Sequence, residues 1–245
     1  MACNCEGLAF AVCADRLRFM GLLVKSSIRL APIDGGIVVL DIAADRYSLL
    51  SPDDPGRFLR KMAGEMIDLS PSDHTLLLQS GISTGEPEEG YSFAPAPLRV
   101  WARELPGCRV DALPEVSVKD RFATGVAIGW AHAMFKFVAF HRVLSAALHL
   151  RRHWESHTRN LGEFELAELY ERHVRARTWF HSAPDRCLVN SLALLRFLAG
   201  HGVFPSWTFG VKIAPFAAHC WVEDDRFLYG EEIAYCRSFV PILSL

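Results

Sequence analysis

Hydrophobic and polar residues follow two different patterns along this chain, one typical of strands and one typical of helices. In the first third, β-branched and aliphatic residues cluster in three short runs, at 27–33, 36–42 and 46–50. Turn-forming residues at 34–36 and 43–45 separate these runs, so the pattern predicts three strands. Two helical segments are predicted next, at about 53–67 and 71–81. Together they predict a small three-stranded sheet packed by helices, occupying residues 22–85 after an N-terminal extension at 1–21.

A change of composition predicts where this first domain ends. Residues 81–107 contain Gly-Glu-Pro-Glu-Glu-Gly and Pro-Ala-Pro, which are typical of a linker, and we place the linker at 86–107. A second domain is then predicted at 108–245. Its long apolar run at 122–150 includes Lys136 and Arg142, which are costly inside a bilayer, so we expect a buried helix or helical hairpin and no membrane span.

The last quarter of the chain carries the chemistry. Apolar residues recur at helical spacing after Cys187, and Asp185 is the predicted N-cap, so the cysteine falls in the first turn of a helix. A thiol at a helix N-terminus gains thiolate character, and an adjacent imidazole increases it. Two strands are predicted after this helix, at 206–213 and 218–223, and His219 lies on the second.

Strand alternation places His219, Trp221 and Glu223 on one face and Cys220 on the other. After a turn at 224–226, the chain returns to the acidic pair at 231 and 232. A regular two-residue hairpin would bring Glu232 opposite the histidine, whereas a one-residue bulge would bring Glu231. Both alternatives remain open at this stage. A cysteine hydrolase is the leading hypothesis, with Cys220 and Cys236 interpreted as core residues.

Composition excludes several other classes. The chain has 245 residues, is 51% hydrophobic and carries a net charge of −2, which gives no electrostatic reason to expect nucleic acid. Seven cysteines are an odd number without the density of a disulfide scaffold, as expected in a reducing cytoplasm. Cys3 and Cys5 lack the spacing of a zinc site, and no P-loop or dinucleotide fingerprint is present, so we predict neither metal nor cofactor.

Several motif pieces follow one another in the last 70 residues: Cys187-Leu188 with Ser191 and Leu194, Gly210-Val211-Lys212, Pro215-Phe216 and Ala218-His219-Cys220-Trp221-Val222-Glu223. In this order and spacing they resemble the C-terminal protease domain of lasso-peptide maturation proteins, the transglutaminase-like leader peptidases of the microcin type. The resemblance implies a cysteine endopeptidase in which Cys187 is the nucleophile, His219 the general base and acid, and Glu231 the third member, where the family usually has aspartate.

The N-terminal strands resemble the leader-peptide recognition element first seen in a quinone-cofactor biosynthesis chaperone, through 36–41 and 46–50. The implied fold class is α+β, a winged-helix-like three-stranded recognition domain followed by a transglutaminase-like, papain-like cysteine protease domain. An exposed sheet edge can accept an extended peptide as an added strand. The expected peptide-binding residues are Arg46, Tyr47, Ser48, Leu49 and Leu50 on the edge strand, with Leu76 and Leu77 on the facing helix.

The resemblance also implies partners. We expect the chain to bind the leader of a ribosomally made precursor peptide, to cleave it off, and to work with an ATP-dependent lasso cyclase of the asparagine-synthetase type. One alternative is transglutaminase-like or N-acyltransferase chemistry on the same fold. Another is a peptide-delivery protein whose catalytic site has decayed.

Overall fold

The computed structural model describes residues 23–63, 65, 67–84, 103–105, 114–154, 158–180 and 186–245. The chain divides into two compact units. The first comprises Met1–Leu98 and Val240–Ser244, and the second comprises Arg99–Phe239 and Leu245. The predicted extension at 1–21 and almost all of the predicted linker at 86–107 lie outside the described residues. Within that linker, Arg103–Glu104 form a strand of the second unit.

A three-stranded antiparallel sheet forms the frame of the first unit. Its strands are ordered β2-β3-β4, and a left-handed glycine, Gly35 with φ +81°, closes the β2–β3 turn. A separate pair, β1 with β5, is also antiparallel. The strand bounds are β1 Leu23–Val24, β2 Ile28–Ile33, β3 Gly36–Asp41, β4 Arg46–Leu50 and β5 Ser83–Thr84.

Two helices cover one face of this sheet. Helix α1 (Pro55–Met62) begins after Asp54, whose side chain accepts a hydrogen bond from the Arg57 backbone N–H. Helix α2 (Pro71–Ser80) begins after Ser70, which caps it in the same way. The shared core is apolar and consists of Ile28, Ile37, Val39, Leu50, Phe58, Leu59, Met62, Leu77 and Ile82. The three predicted strands and two predicted helices are therefore present, with α1 shorter than expected.

Among the described residues, the second unit contains four long helices and one short one. The long helices are α3 (Val118–Phe137), α4 (Phe140–Trp154), α5 (Glu163–Arg177) and α6 (Cys187–Ala199). A capping box between Ser117 and Asp120 starts α3, and α3 packs against both α5 and α6. The long apolar run at 122–150 is thus a pair of helices, and none of the described helices is both long and apolar enough to cross a membrane.

The strands of the second unit are ordered β7-β8-β9-β6. They are β6 (Arg103–Glu104), β7 (Ser206–Lys212), β8 (Ala217–Glu223) and β9 (Phe227–Leu228). Strands β7 and β8 pair antiparallel over their whole length, with Gly210 opposite His219. The short helix α7 (Ile233–Cys236) and strand β10 (Val240–Ser244) complete the chain. Helix α6 packs on β8, which brings the N-terminus of the helix to the strand that carries the histidine.

Candidate active site

Cys187 is the first residue of helix α6. Arg186 occupies the N-cap position with φ −108° and makes no side-chain capping bond, while the predicted cap, Asp185, lies outside the described residues. The first backbone N–H groups of a helix have no intrahelical acceptor and carry the positive end of the helix dipole. The sulfur therefore lies where a negative charge is stabilised.

The edge of strand β8 receives this end of the helix. Strand β9 pairs with β8 only at Glu223 and Leu228, so the ladder does not reach Cys220. In a strand the N–H and C=O of one residue point to the same side. Both of these groups of Cys220 form hydrogen bonds with residues of α6. The Cys220 N–H donates to the Cys187 sulfur, and the Ser191 hydroxyl donates to the Cys220 carbonyl at 3.4 Å. Because the β8–β9 ladder stops before Cys220, helix α6 bonds to Cys220 instead, and this holds the Cys187 sulfur against β8.

The thiol of Cys220 also contacts the nucleophile. A hydrogen bond from this thiol is the largest of the effects that lower the pKa of Cys187 to about 4; burial opposes the shift, and the hydrogen bond and charge of His219 and the Cys220 backbone N–H add to it. The pKa of the buried Cys220 thiol is raised well above its usual value, first by burial and then by the Cys187 sulfur. Cys220 accordingly remains protonated and donates.

His219 contacts both Cys187 and Glu231. Its Nε2 lies 3.4 Å from Glu231 Oε1, and the two side chains are 13% and 33% exposed. This is an ion-pair distance, yet the alignment is not that of a hydrogen bond, and Nε2 has no other partner among the described residues. The other ring nitrogen, Nδ1, is left for the thiol.

The protonation of His219 follows from these neighbours. Burial disfavours the charged ring and so lowers the pKa of His219, but the hydrogen bond to Cys187 and the negative charges of Glu231 and Cys187 outweigh it and raise this pKa to about 9. A thiol with a pKa near 4 beside an imidazole with a pKa near 9 exists at neutral pH as a thiolate–imidazolium pair. Such a pair is the resting form of an activated cysteine nucleophile.

Glu231, and not Glu232, lies beside the histidine, by a route that neither predicted register describes. Continuing the Glu223–Leu228 register would place residue 232 opposite residue 219, as the regular-hairpin alternative required. The ladder ends before that point, because Gly230 adopts φ +70° and turns the chain out of the strand. Glu232 is exposed and occupies the N-cap position of α7. The turn at Gly230, and not a β-bulge, therefore places Glu231 beside His219.

Aromatic rings hold the imidazole in place. Trp221 stacks on His219 at 6.1 Å between ring centroids, and Phe239 lies 5.5 Å from it. The Trp221 indole N–H donates to the buried carboxylate of Glu223 at 3.0 Å, and Thr208 donates to the same carboxylate at 2.5 Å. The expected alternation along β8 is thus observed, and Glu223 serves to orient the tryptophan.

A cavity of about 290 Å³ opens at the nucleophile. One wall comes from helix α5, where Tyr170, His173 and Arg177 lie on one face at helical spacing. His173 is fully buried, its pKa is lowered to about 3 chiefly by burial, and its Nδ1 lies 3.4 Å from the Thr124 hydroxyl. This wall was not predicted from the sequence, although polar residues on the buried face of an amphipathic helix are the signal that marks it.

Three donor atoms behind the histidine have the types that bind metals. One each from His219, Glu231 and Cys236 lie within 4.8 Å of one another. Cys236 is fully buried, and its pKa is raised to about 12, first by burial and then by the charges of Glu231, Glu223 and Glu104. Cys236 packs with Trp221, Leu228 and Phe239, so it is a core residue, as predicted.

The predicted peptide-binding residues lie on the edge strand and helix of the first unit. Strand β4 is an outer strand of the order β2-β3-β4, and the Leu49 side chain on it is 53% exposed. Two assignments need correction: the Leu50 and Leu77 side chains are 7% and 1% exposed and belong to the core, so neither is available to a peptide. Leu78, one position on, is 55% exposed, because consecutive helical residues differ by about 100° in direction.

The second unit thus brings together a cysteine at a helix N-terminus, a strand histidine and a following carboxylate. Comparison with protein families gives the class: residues 123–244 match the transglutaminase-like superfamily. The chain thus carries a transglutaminase-like domain that includes Cys187, His219 and Glu231. No curated protein and no solved structure matches the chain.

Proposed function

We propose that this protein binds the leader of a ribosomally made precursor peptide and removes it by cysteine-protease chemistry during lasso-peptide biosynthesis. The proposal rests on one observation above all: Cys187 and Glu231 both lie beside His219 in a transglutaminase-like domain, with Glu231 Oε1 3.4 Å from His219 Nε2. The lasso-peptide context comes from the motif resemblance of the last 70 residues, and the peptide substrate from the strand pattern of the first unit.

In the first chemical step the Cys187 thiolate attacks the scissile carbonyl carbon. The carbonyl electron pair moves to oxygen, and the backbone N–H of Cys187, at the helix start, is positioned to donate to that oxyanion. As the intermediate collapses, the His219 imidazolium gives its proton to the departing amine and the C–N bond breaks. The core peptide leaves as the amine, and a thioester remains between Cys187 and the leader, the fragment that keeps the scissile carbonyl.

Water completes the cycle. Neutral His219 takes a proton from a water molecule, the hydroxide attacks the thioester carbonyl, and the C–S bond breaks to return the thiolate. Glu231 stabilises the imidazolium each time it forms, since its carboxylate lies 3.4 Å from Nε2. A carboxylate at the far side of the ring also holds the ring in its productive orientation.

Leader binding is assigned to the outer edge of β4, which pairs with no further strand among the described residues. An added peptide strand satisfies backbone N–H and C=O groups along the edge, and exposed side chains such as Leu49 and Leu78 contact alternate residues of the leader. The freed core peptide then passes to an ATP-dependent cyclase of the asparagine-synthetase type, which supplies the activation chemistry.

The decisive experiment uses a short peptide encoded next to this gene, synthesised with its candidate leader, and the full-length protein. We expect mass spectrometry to find two fragments whose masses sum to that of the peptide plus one water, and none with Cys187→Ala. An intact peptide under all conditions, including added cyclase, would overturn the leader-peptidase proposal.

Acyl transfer is the second candidate, because a transglutaminase-like domain is compatible with either water or an amine as the acceptor. Repeating the reaction with excess glycinamide separates the two. A protease yields the free acid, whereas a transferase yields a product that carries the glycinamide mass. The third alternative, a decayed delivery protein, predicts leader binding with neither product.

A further inference from the structure

The donor atoms behind the catalytic histidine form an incomplete tetrahedron. His219 Nε2 and Glu231 Oε1 are 3.4 Å apart. Two such ligands at about 2.0–2.1 Å from a tetrahedral zinc ion stand about 3.4 Å from each other. This edge therefore already has the length that a zinc ion requires.

Cys236 supplies the third corner. Its sulfur lies within 4.8 Å of both other donor atoms, and a bound zinc ion would need about 3.6 Å, given a Zn–S distance near 2.3 Å. The sulfur would have to approach the other two atoms by at most about 1.2 Å. Glu231 and His219 would make this movement, because Cys236 is fixed in a buried cluster with Trp221, Leu228 and Phe239.

The surroundings favour a cation. Glu231, Glu223 and Glu104 all place negative charge near the Cys236 sulfur. Two of these carboxylates already accept hydrogen bonds, Glu223 from Trp221 and Glu104 from the Ile233 N–H at 2.9 Å. Glu231 alone directs its carboxylate to the ring nitrogen, and that nitrogen, although buried, has no hydrogen-bond partner among the described residues.

We propose that His219, Glu231 and Cys236 form a reversible zinc site that switches the enzyme off. A thiolate, an imidazole and a carboxylate are together the ligand set that a borderline-soft ion such as Zn²⁺ prefers. The fourth position is open to water or to the Cys187 thiolate. Binding displaces one proton from the Cys236 thiol and, when the ring is charged, one from His219, and both pass to the buffer.

Inhibition follows from what the ion occupies. With zinc on Nε2, the ring can no longer become an imidazolium, so it cannot protonate the leaving amine, and Glu231 no longer stabilises that charge. The ion enters through the cavity, which both His219 and Glu231 line. The site does not depend on which peptide the protein cleaves, so its test does not depend on the proposed function.

Metal-binding spectroscopy tests the site directly. Full-length protein, reduced and freed of metal, is titrated with Zn²⁺ in competition with a chromophoric chelator, and separately with Co²⁺ while its absorption spectrum is recorded. We expect a sulfur-to-cobalt charge-transfer band and a zinc affinity that falls at least about tenfold in Cys236→Ser, since even outer-sphere partners of a metal carry that much. Glu231→Gln should weaken zinc binding similarly without touching the buried core.

Cys220→Ser is the matched control. It changes another buried thiol in the same way, but Cys220 lies on the face of β8 opposite to His219, so this variant should retain the wild-type zinc affinity. Three outcomes would overturn the site. One is absence of zinc binding, and another is an affinity and cobalt band unchanged in both Cys236→Ser and Glu231→Gln. The third is binding that survives Cys236→Ser but is lost in Cys187→Ser, which would assign the ion to the nucleophile and histidine alone. Circular dichroism matched to wild type qualifies each variant.

Discussion

The two units prepare their candidate sites in opposite ways. In the second unit, side chains from a helix start, a strand and a glycine turn converge, and their mutual contacts set their charges. In the first unit, the candidate peptide site is the backbone edge of β4, backed by an apolar core that contains Leu50 and Leu77. A site made of side chains is lost by single side-chain changes, whereas a site made of backbone is lost when the backbone changes. The predictions below test that distinction.

The largest effect is expected at the nucleophile. Cys187→Ala removes the atom that forms the thioester, so leader cleavage should fall by about 10⁴-fold or more. Leader affinity, measured by fluorescence anisotropy, should stay within error of wild type because Cys187 lies in the other unit. A variant that still cleaves at a comparable rate would remove Cys187 from the mechanism, and loss of affinity would show that the two sites are not separable.

The acidic pair offers a matched comparison beside the histidine. Glu231→Gln should lower kcat by about 10- to 100-fold, while Glu232→Gln, an exposed change one residue away, should leave it near wild type. The pH profile adds a second measurement. Activity should rise as pH passes the Cys187 pKa of about 4 and fall as it passes the His219 pKa of about 9. Because Glu231 raises the pKa of His219, its loss should move the alkaline limb to lower pH. If Glu232→Gln lowered kcat and Glu231→Gln did not, Glu232 would be the residue that orients His219.

Gly35 and Gly230 both have positive φ, so substituting each in turn distinguishes the effect of backbone strain from the effect of displacing Glu231. Gly35→Ala and Gly230→Ala both place a side chain at positive φ, which costs about 1–2 kcal/mol. A Cβ at Gly35 meets no atom within 4 Å, whereas one at Gly230 would collide with the Tyr170 hydroxyl. We expect Gly35→Ala to lower only the Tm, and Gly230→Ala to lower Tm and kcat together by displacing Glu231. Equal kcat in the two variants would mean that the glycine turn does not set the carboxylate.

Proline substitution tests the edge of β4. Adjacent residues of a strand point their N–H groups to opposite sides, so Tyr47→Pro and Ser48→Pro remove one donor to β3 and one to the open edge. The variant that keeps a near-wild-type Tm should bind leader about tenfold more weakly, through the lost hydrogen bond and the ring bulk. Ser48→Ala is the control and should bind normally. If the stable proline variant binds leader as wild type does, the strand-addition site lies elsewhere.

The local elements were predictable where one physical signal dominated. The three N-terminal strands, the helix at Cys187 and the alternation along β8 all follow from periodicity and turn residues. The choice between Glu231 and Glu232 did not, because it depends on where a ladder stops, and sequence alone did not show that Gly230 would leave the strand. The wall on α5 and the contact of Cys220 with Cys187 are tertiary, since they depend on which helix packs against which strand edge.

The smallest effect is expected at the contact of Cys220 with Cys187. A variant there tests whether backbone groups alone can hold the Cys187 thiolate. The Cys220 thiol is the first cause of the low pKa of Cys187, but the Cys220 backbone N–H and the imidazolium remain when the thiol is removed. In Cys220→Ala the pKa of Cys187 should therefore rise yet stay below that of His219, so the ion pair persists and activity at neutral pH changes by only about two- to threefold.

The acid limb, followed as the pH dependence of Cys187 alkylation by iodoacetamide, should move to higher pH while the alkaline limb stays in place. Ser191→Ala, which removes the hydroxyl next to the Cys220 carbonyl and thiol, is the neighbouring control and should move the acid limb less. An unmoved acid limb in Cys220→Ala would mean that the helix start, the backbone N–H and the imidazolium suffice to hold the thiolate, so that this part of the site too is built from backbone.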